Sequence, residues 1–329
     1  MSRASADLGE FELIRRFFQD RQGARAQPGV ILGIGDDAAL LALPPHTELV
    51  AAVDTLVAGR HFPDATAARS IGHRALAVNL SDLAAMGATP AWATLALTMP
   101  QVDAVWLEQF AAGFLDLANA NGVALVGGDT TRGPLTVSVQ IMGHVPCGAA
   151  LRRSGARAGD LLAVTGTLGD GGAGLAFATA TASSQVPLAV QELIQRFDYP
   201  TPRVQFGLAA RGIASAAMDI SDGLVGDLPK LAHASGVAAH VAVESLPLSD
   251  ALRAAVPYAQ ARDWALAAGD DYELLLAVPA ARHADLAAAA AQLNLRLTVI
   301  GAISAGSGVT WSQNGSDFAP GVRAWDHFA

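Results

Sequence analysis

Short apolar runs in this chain repeatedly lead into glycines and aspartates, and this pattern constrains the fold more than any other feature of the sequence. The clearest example is the apolar run 123–126, which continues into Gly127, Gly128 and Asp129. Glycine permits positive φ and the close approach of a ligand to the backbone. Ligands in α/β sheets bind at the carboxyl ends of strands. The run therefore predicts a strand that ends at a ligand site, although a strand turn with a surface aspartate accounts for this stretch equally well.

Acids occur in comparable positions elsewhere, next to glycines or at the predicted ends of strands and helices. Carboxylate oxygens suit Mg²⁺, which keeps several waters and is completed by substrate phosphates. Carboxylates that cluster without a cation repel one another and raise one another's pKa. The recurrence of such acids therefore favours a magnesium site over a purely structural role. The acids are Asp36, Asp37, Asp54, Asp82, Asp219 and Asp222.

Several of these positions also have simpler interpretations. The acids at 36–37 are either a metal-binding strand end or a solvated hairpin turn. Residues 66–86 predict a long helix on which Asn79 and Asp82, three residues apart, share one face. That face is either a solvent-exposed stripe or the wall of a site, and the small residues around it favour the site. His61 lies in a predicted loop, where histidines are more often surface residues than ligand contacts.

Lys230 is the only lysine of the chain, and the other twenty basic residues are arginines. A P-loop requires a Gly-Lys-Ser/Thr sequence, and a protein kinase requires a lysine on a strand. Lys230 lies in a Leu-Pro-Lys-Leu sequence that matches neither motif. If the chain handles nucleotides, metal ions and arginines must therefore neutralise the phosphates.

Charge and cysteine content exclude several other classes of protein. The formal net charge of −9 argues against nucleic-acid binding. Cys147 is the only cysteine, so we expect neither a disulfide framework nor a cysteine-based zinc site. Acids at positions 7, 10 and 12 are unlike a signal peptide, and no apolar run approaches the roughly 18 residues of a membrane span. We therefore expect a cytoplasmic protein that binds neither membrane nor nucleic acid.

The main rival interpretation is a dinucleotide-binding fold. Gly169, Gly171 and Gly174 satisfy the G-x-G-x-x-G spacing between a predicted strand, 161–165, and a predicted helix. The acid that this motif requires about twenty residues later falls on Glu192, within a helical stretch instead of at a strand end. A single match in a glycine-rich chain is a weak indication.

The length of 329 residues predicts two domains. Strand and helix patterns alternate from residue 29 to about 146, and the alternation begins again at 159 after the basic segment 151–156. We place the domains at 1–148 and 149–329, both of the α/β class.

Six motifs together resemble the thiamine-monophosphate kinase family, which belongs to the superfamily of aminoimidazole ribonucleotide synthetase. The resemblance extends over nearly the whole chain, from residues 9–11 to 325–328. Its specificity comes from the combination and order of the motifs, since each alone is common. The motifs lie at 33–37, 54–55, 79–87, 127–130, 219–224 and 270–274.

This resemblance implies two domains, an N-terminal α/β domain that binds ATP and Mg²⁺ and a C-terminal α/β domain. It also implies a homodimer formed by the N-terminal sheet. The implied reaction transfers the γ-phosphoryl group of ATP to thiamine monophosphate, with several Mg²⁺ ions assisting an in-line transfer. No catalytic general base is expected, because the acceptor phosphate is already anionic.

The resemblance also implies a role for each matching residue. Nucleotide contacts would come from Gly128, Asp129, Arg153 and Ser221. Thiamine monophosphate would contact His61, Asp270 and Trp325, whose ring would offer an aromatic face to a cationic heterocycle. The metal ligands would be Asp37, Asp54, Asp82, Asp129, Asp219 and Asp222.

Two positions depart from the family pattern. Hydroxyl residues are frequent just before the acid that matches Asp54, where this chain has Ala52 and Val53. A metal there would have to use a backbone carbonyl or a water in place of that side chain. Asp270 stands where glutamate is common and is one methylene shorter. A thiamine-phosphate binding protein without enzymatic activity is the alternative from another class, but it would not need so many metal-binding carboxylates.

Overall fold

The computed structural model describes residues 9–21, 28–180 and 186–324, whose strands form sheets of two, four and seven strands. The chain divides into two compact units. The first comprises Met1–Leu83 and Thr89–Gly148, and the second comprises Ala84–Ala88 and Ala149–Ala329. The two smaller sheets lie in the first unit, and the seven-stranded sheet lies in the second.

The four-stranded sheet of the first unit has the strand order β3-β6-β4-β5. β4 and β5 are parallel and are joined by a helix, α3, whereas the other neighbouring strands are antiparallel. A parallel pair needs such a long connection. The elements of this unit are α1 (Glu10–Ile14) with a π-helical turn (Arg15–Gln19), β1 (Val30–Leu32), β2 (Leu40–Leu41), β3 (Thr47–Val57), α2 (Ala68–Ala85), β4 (Thr89–Met99), α3 (Ala104–Ala120), β5 (Ala124–Arg132) and β6 (Thr136–Pro146).

Alternation along β6 gives this sheet one buried face. Val137, Val139 and Ile141 are fully buried, whereas Gln140 between them is exposed. Helix α2 lies against this face, since Leu83 Cδ1 is 3.0 Å from the position that a Cβ of Gly143 would take. Each large apolar side chain buried in this layer contributes about 1.5–3 kcal/mol.

The β1–β2 hairpin corrects one expectation from the sequence. β1 ends at Leu32 and pairs antiparallel with β2, so the acids 36–37 lie in the connecting loop. These acids therefore lie in a hairpin loop and not at the end of a strand, while their predicted role as metal ligands stays a prediction. Trp92 of β4 packs against the hairpin, and its Nε1 donates a hydrogen bond to the Pro28 carbonyl (3.1 Å).

The seven-stranded sheet of the second unit has the order β13-β12-β9-β11-β7-β10-β8. Every neighbouring pair is antiparallel except β12 and β9. The strands are β7 (Asp160–Thr165), β8 (Ala216–Ile220), β9 (Ala238–Ala242), β10 (Glu273–Pro279), β11 (Leu297–Ser304), β12 (Gly308–Gln313) and β13 (Ser316–Asp317).

Helices alternate with these strands, so the predicted α/β class is confirmed for both units. Leu274, Leu275 and Leu276 of β10 are all completely buried, as expected of a strand covered on both faces. None of the described helices is long and apolar enough to cross a membrane. The helices are α4 (Asp170–Ala180), α5 (Leu188–Asp198), α6 (Val204–Ala210), α7 (Leu224–Ser235), α8 (Asp250–Ala255), α9 (Tyr258–Ala267) and α10 (His283–Gln292).

Candidate functional site

A cavity of about 650 Å³ lies in the first unit, between the β1–β2 loop and β5. Its lining includes Gly35 and Asp37 from the loop and Gly128 and Asp129 from the end of β5. The volume lies within the range of about 300–1,000 Å³ that is typical of ligand pockets. Two predicted motifs that are far apart in the sequence therefore meet at one cavity.

Gly128 owes its position to an irregularity in the sheet. The pairing of β4 with β5 shifts register between Ala93 and Thr94. Gly128 has a φ of 150°, and a Cβ there would lie 1.9 Å from the backbone oxygen of Leu95. Only glycine fits, because a side chain would collide with the backbone of the neighbouring strand β4, and the Gly128 backbone forms part of the cavity lining.

The carboxyl groups on this cavity are exposed to solvent. Asp36, Asp37 and Asp129 are all exposed, and the Asp37 N–H donates to Asp36 Oδ1 (2.8 Å). Exposed carboxylates next to an open backbone can meet a metal ion that itself carries phosphate oxygens.

Asp54, near the carboxyl end of β3, is tied to helix α2 through its backbone. The Asp54 N–H donates to Asn79 Oδ1 (3.1 Å), and Asn79 Nδ2 donates to the Ala75 carbonyl (2.9 Å). Asn79 is completely buried, whereas Asp82, one turn further along α2, is partly buried. Asn79 therefore links helix α2 to the backbone of strand β3 next to Asp54.

His61 is fixed in the loop that follows β3. Its ring Nδ1 accepts the backbone N–H of Val57 (3.0 Å), and the backbone N–H of His61 donates to the Val57 carbonyl (3.0 Å). When the ring is neutral, its proton is therefore on Nε2. The loop holds this histidine in one orientation, partly exposed.

The register of the sheet separates two of the predicted metal ligands. Asp54 lies opposite Val139, Val139 lies opposite Leu95, and Leu95 lies opposite Gly128, the neighbour of Asp129. Three strand spacings are about 14 Å, which is too far for two aspartates to share one ion. Asp54 and Asp129 would therefore hold different ions.

The donor set of this unit fits magnesium. No three His, Cys, Asp or Glu side chains of the described residues lie close enough together to hold an ion by themselves. Mg²⁺ does not require such a cluster, since it is usually bound by one or two carboxylates plus waters and substrate phosphates. Asp37 and Asp129 on one cavity fit that arrangement.

In the second unit, the predicted site residues lie where β8 ends. Asp219 is buried within β8, and the N–H groups of Ser221 and Asp222 both donate to Asp227 Oδ2 (3.0 and 2.9 Å). Lys230 Nζ bridges Asp222 Oδ2 (2.7 Å) and Asp227 Oδ1 (2.9 Å). This role of the single lysine was not predicted from the sequence.

Charge and burial oppose each other in this group. Burial raises the pKa of Asp227, although the hydrogen bond from Lys230 lowers it. Burial lowers the pKa of Lys230, but the hydrogen bonds to Asp222 and Asp227 outweigh this effect, so the pKa is raised. Lys230 therefore remains a cation beside Asp222. The signal in the sequence that could have revealed this group is Asp227, an acid on the same helix face as Leu224 and Leu231.

A second predicted segment meets the end of β8. The Asp270 N–H donates to the Ser221 carbonyl (2.9 Å), and the Tyr272 N–H donates to the Ile220 carbonyl (2.9 Å). The structure thus joins Ser221, predicted to contact ATP, to Asp270, predicted to contact the second substrate.

The glycine-rich turn before α4 does not form a cofactor cradle. The N–H groups of Gly169 and Gly171 donate to the carboxyl group of Asp271 (2.8 and 3.1 Å). Burial raises the pKa of Asp271 well above its usual value, despite these two hydrogen bonds. The dinucleotide-binding interpretation was wrong, because the backbone donors that would hold a pyrophosphate already bind a side chain of the protein.

Glu273 forms a buried ionic group next to this turn. It is completely buried and accepts hydrogen bonds from Thr165 Oγ1 (2.7 Å), Arg203 Nε (2.7 Å) and Arg196 Nη2 (3.0 Å). Both arginines line a cavity of about 310 Å³. Their main partner is an internal carboxylate, so the sequence-based expectation that arginines neutralise substrate phosphates does not apply to this pair.

Two further predicted residues complete the comparison with the sequence. Arg153 has an exposed side chain, and its carbonyl accepts a hydrogen bond from Ser235 Oγ (2.8 Å). Trp325 lies outside the described residues.

The two units correspond to two known domain families. Residues 35–145 match the family described as AIR synthase related protein, N-terminal domain. Residues 157–312 match AIR synthase related protein, C-terminal domain. Fold and site therefore define a two-domain AIR synthase-related protein.

The similarity to individual proteins is closer still. The chain is 48% identical over 323 residues to thiamine-monophosphate kinase of Salmonella typhimurium, and the match covers 98% of each chain. It is 46% identical over 323 residues to thiamine-monophosphate kinase of Escherichia coli K12, also covering 98% of each. The chain belongs to the thiamine-monophosphate kinase family.

Solved structures agree with this assignment. The crystal structure of thiamine-monophosphate kinase from Stenotrophomonas maltophilia K279a has a TM-score of 0.86 at 48% identity and covers 94% of this chain and 98% of its own. A structure of AaThiL complexed with AMPPCP and TMP has a TM-score of 0.78 at 31% identity, covering 98% and 97%. The Escherichia coli hydrogenase maturation protein HypE has a TM-score of 0.76 at 21% identity, so it shares only the fold.

Proposed function

We propose that this chain transfers the terminal phosphoryl group of ATP to the phosphate of thiamine monophosphate, giving thiamine diphosphate and ADP in the last step of thiamine diphosphate biosynthesis. The cavity of the first unit carries the proposal, because Gly128 and Asp129 meet Asp37 there. A backbone without a Cβ beside carboxylates suits a metal-bound nucleotide phosphate. Family membership over 98% of the chain supports the choice of acceptor.

The reaction needs positioning more than proton transfer. A phosphate oxygen of thiamine monophosphate forms a bond to the γ-phosphorus of ATP, and the bond from that phosphorus to the β–γ bridging oxygen breaks as ADP leaves. The acceptor oxygen is already anionic, so we assign no general base. Catalysis of such transfers rests on in-line positioning and on neutralisation of charge.

Magnesium fits the donor set, and several bound Mg²⁺ ions would supply the neutralisation of the phosphate charge. The chain's own contribution is to hold acids at fixed points. β3 and its hydrogen bond to Asn79 fix Asp54, and β8 fixes Asp219. We propose as metal ligands Asp37, Asp54, Asp82, Asp129, Asp219 and Asp222.

The remaining proposed contacts divide between the two substrates. Arg153, with its exposed guanidinium, would join Gly128, Asp129 and Ser221 in holding ATP. His61, which carries its proton on Nε2 when neutral, can donate to a phosphate oxygen. With Asp270 and Trp325, His61 would hold thiamine monophosphate.

We also propose a cytoplasmic homodimer formed through the first unit. β3 is an edge strand of eleven residues, and it exposes Leu49 (52%) and Val53 (65%). Proteins protect or pair long apolar edge strands, and a second copy would pair this one. The proposed donor, ATP, is a cytoplasmic metabolite.

Light scattering after size exclusion tests the dimer. Wild type should have twice the mass of one chain, and Val53→Asp should shift the mass towards one chain. Val105→Asp, the same substitution at an exposed apolar position of α3, is the matched control and should stay dimeric. A monomeric wild type contradicts the proposal.

Phosphorus NMR tests the reaction. Protein, ATP, Mg²⁺ and thiamine monophosphate should produce the signals of thiamine diphosphate and ADP, and unphosphorylated thiamine should yield no thiamine monophosphate. Consumption of ATP without formation of thiamine diphosphate would contradict the assignment of thiamine monophosphate as acceptor but would support ATP as the donor. Binding of thiamine monophosphate without any turnover would support the non-enzymatic alternative.

Thermal unfolding tests the donor separately. Mg²⁺ with a non-hydrolysable ATP analogue should stabilise the protein by about 2.7 kcal/mol at a hundredfold excess over Kd. A stabilisation by NAD of similar size would contradict the assignment of ATP.

A further inference from the structure

The two residues that flank Asp271 in the sequence have unusual backbone conformations. Asp270 and Tyr272 have φ values of 62° and 51°, in the left-handed region. This region costs an L-residue about 1–2 kcal/mol, and a bulky residue there is an outlier. Such strain persists only where the surrounding structure enforces it, and it concentrates at functional sites.

The other described non-glycine residues with positive φ have ordinary explanations. They are His46, Asn294 and Asn314. Each lies in a short connection before or after a strand or helix, and asparagine tolerates this conformation. Aspartate tolerates this conformation as well, so Tyr272 is the outlier, and the pair at 270 and 272 differs from the others because it flanks a buried acid next to a buried strand.

The surrounding structure holds this strained segment on two sides. On one side, the N–H groups of Asp270 and Tyr272 donate to the carbonyls of Ser221 and Ile220 (both 2.9 Å). On the other side, the carboxyl group of Asp271 accepts the N–H groups of Gly169 (2.8 Å) and Gly171. The segment cannot relax to ordinary φ values without breaking these hydrogen bonds.

Gly171 makes this arrangement sterically possible. A Cβ at Gly171 would lie 2.1 Å from the backbone oxygen of Asp270 and 3.0 Å from its Cβ. The helix start therefore approaches the Asp270 backbone as closely as a residue without a side chain permits. The G-x-G-x-x-G spacing, which does not serve a cofactor here, shapes the support of Asp270.

The side chain of Asp270 is restrained as well. The Tyr272 hydroxyl donates to Asp270 Oδ1 (3.0 Å), and Tyr272 is itself 8% exposed. Alternating left-handed residues bring the two side chains together around the buried Asp271. Both the backbone and the carboxylate of Asp270 thus have a fixed position.

We propose that Gly171, Asp271 and Tyr272 are positioning residues that fix the carboxylate of Asp270 for its contact with the substrate. This inference rests on the proposed function, in which Asp270 contacts thiamine monophosphate. The three residues act through Asp270 and do not touch the reacting atoms. Displacement of a positioned group by about 1 Å can cost a hundredfold in rate, so their effect is measurable.

Two glycines of α4 offer a matched pair of variants. A Cβ at Gly174 would lie 2.1 Å from the backbone oxygen of Leu193, the same separation that Gly171 would have from Asp270. Gly171→Ala and Gly174→Ala therefore introduce the same group and the same clash on one helix, against different neighbours. A purely structural role predicts equal consequences for both.

Kinetics of both substrates distinguish the two roles. Gly171→Ala should raise KM for thiamine monophosphate at least about tenfold and leave KM for ATP within twofold of wild type. Gly174→Ala should lower Tm and leave both KM values within twofold. Tyr272→Phe, which removes one hydroxyl, should raise KM for thiamine monophosphate several-fold at nearly unchanged Tm, and it provides the test if neither alanine variant folds.

Asp270→Asn separates failure of the inference from failure of the proposed function. If Asp270→Asn raises KM for thiamine monophosphate but Gly171→Ala and Tyr272→Phe do not, the positioning role is overturned. If Asp270→Asn leaves KM unchanged, the substrate contact and the positioning role are both overturned. A wild type that phosphorylates no thiamine monophosphate would refute the proposed function itself, before any variant is compared.

Discussion

Two segments of this chain share a glycine–aspartate pattern in the sequence but place the aspartate in opposite environments in the structure. In the first unit, Asp129 follows Gly128 and is exposed on a cavity of about 650 Å³. In the second unit, Asp271 follows Asp270 after Gly269, and its carboxyl group is buried against two backbone N–H groups. In these two segments the pattern predicts a turn, and the difference in burial decides whether the acid faces a cavity or the interior of the protein.

Two further buried acids of the second unit share this internal role. Asp160 accepts Ser215 Oγ (2.5 Å), and Asp170 accepts Thr167 Oγ1 and Ser249 Oγ (both 2.6 Å). A buried acid without such partners would cost several kcal/mol. Removal of an internal acid should therefore damage stability, whereas removal of an acid on the cavity should damage activity.

The largest effect on stability should come from Glu273→Gln. The change leaves Arg196 and Arg203 partly buried without their carboxylate, which should lower the free energy of unfolding by about 3–5 kcal/mol. Urea denaturation measures this loss. Glu192→Gln, at an exposed position of the 310 Å³ cavity that Arg196 and Arg203 line, should change the free energy of unfolding by less than about 0.5 kcal/mol. Equal losses of stability in the two variants would contradict an internal structural role for Glu273.

Asp129→Asn should have the opposite profile. Turnover should fall by at least about a hundredfold, the scale expected for a group that stabilises transferring charge, because one proposed metal ligand is lost. Stability should change by less than about 0.5 kcal/mol, since Asp129 is exposed. ADP release and thermal unfolding provide the two readouts, with Asp285→Asn as the surface control. Turnover at the wild-type rate would remove Asp129 from the site.

The buried Asp271 should make stability depend on pH. Its pKa in the folded protein is raised well above 3.8, mainly by burial, with Asp170 raising it further and Arg196 lowering it. As pH rises above 3.8, the unfolded chain loses its proton first, so this group lowers the free energy of unfolding until pH passes the folded-state pKa.

Urea denaturation between pH 4 and pH 8 tests the sign of that dependence. The stability of wild type relative to Asp271→Asn should fall as pH rises, by at most about 1.4 kcal/mol per pH unit. Parallel stability curves for the two proteins would show that the Asp271 carboxyl does not titrate as proposed.

Among the internal ion pairs, that of Lys230 should contribute least, so Lys230→Met should cause the smallest loss of stability. The ammonium group pairs with Asp222 and Asp227 but is 43% exposed, so its loss should cost less than about 1 kcal/mol, or roughly 2–4 °C in Tm. Asp227 keeps the N–H groups of Ser221 and Asp222. Lys230→Arg should retain wild-type Tm. A loss of stability as large as that of Glu273→Gln would show that the fold depends on Lys230 as much as on the buried Glu273.

The sequence predicts those features that depend on local patterns. The long helix expected at 66–86 is α2, Ala68–Ala85, because its periodicity and its glycine stop are local signals. β12 and β13 were not predicted, since short strands are defined by pairing with β9 and with each other. The domain limits and the individual site residues remain predictions that biochemical experiments must test.

The roles of polar residues were harder to predict, because partners distant in sequence determine them. Asn79 shares a helix face with Asp82, yet its partner is the backbone of Asp54. Glu273 reads as the end of a motif, and only the fold brings Arg196 and Arg203 to it. Single-sequence patterns contain no signal for such pairs.

The scarcity of lysine and cysteine has a practical consequence. Cys147 is exposed and belongs to the first unit, and Lys230 is partly exposed and belongs to the second. A maleimide dye can therefore label one thiol and an amine-reactive dye one ε-amino group without any substitution, once the α-amino group, which has the lower pKa, has been blocked. Energy transfer between the two dyes would report the distance between the labelled positions during turnover. In a separate experiment, the labelling rate of Lys230 in the unlabelled protein would report whether a ligand binds beside Asp222.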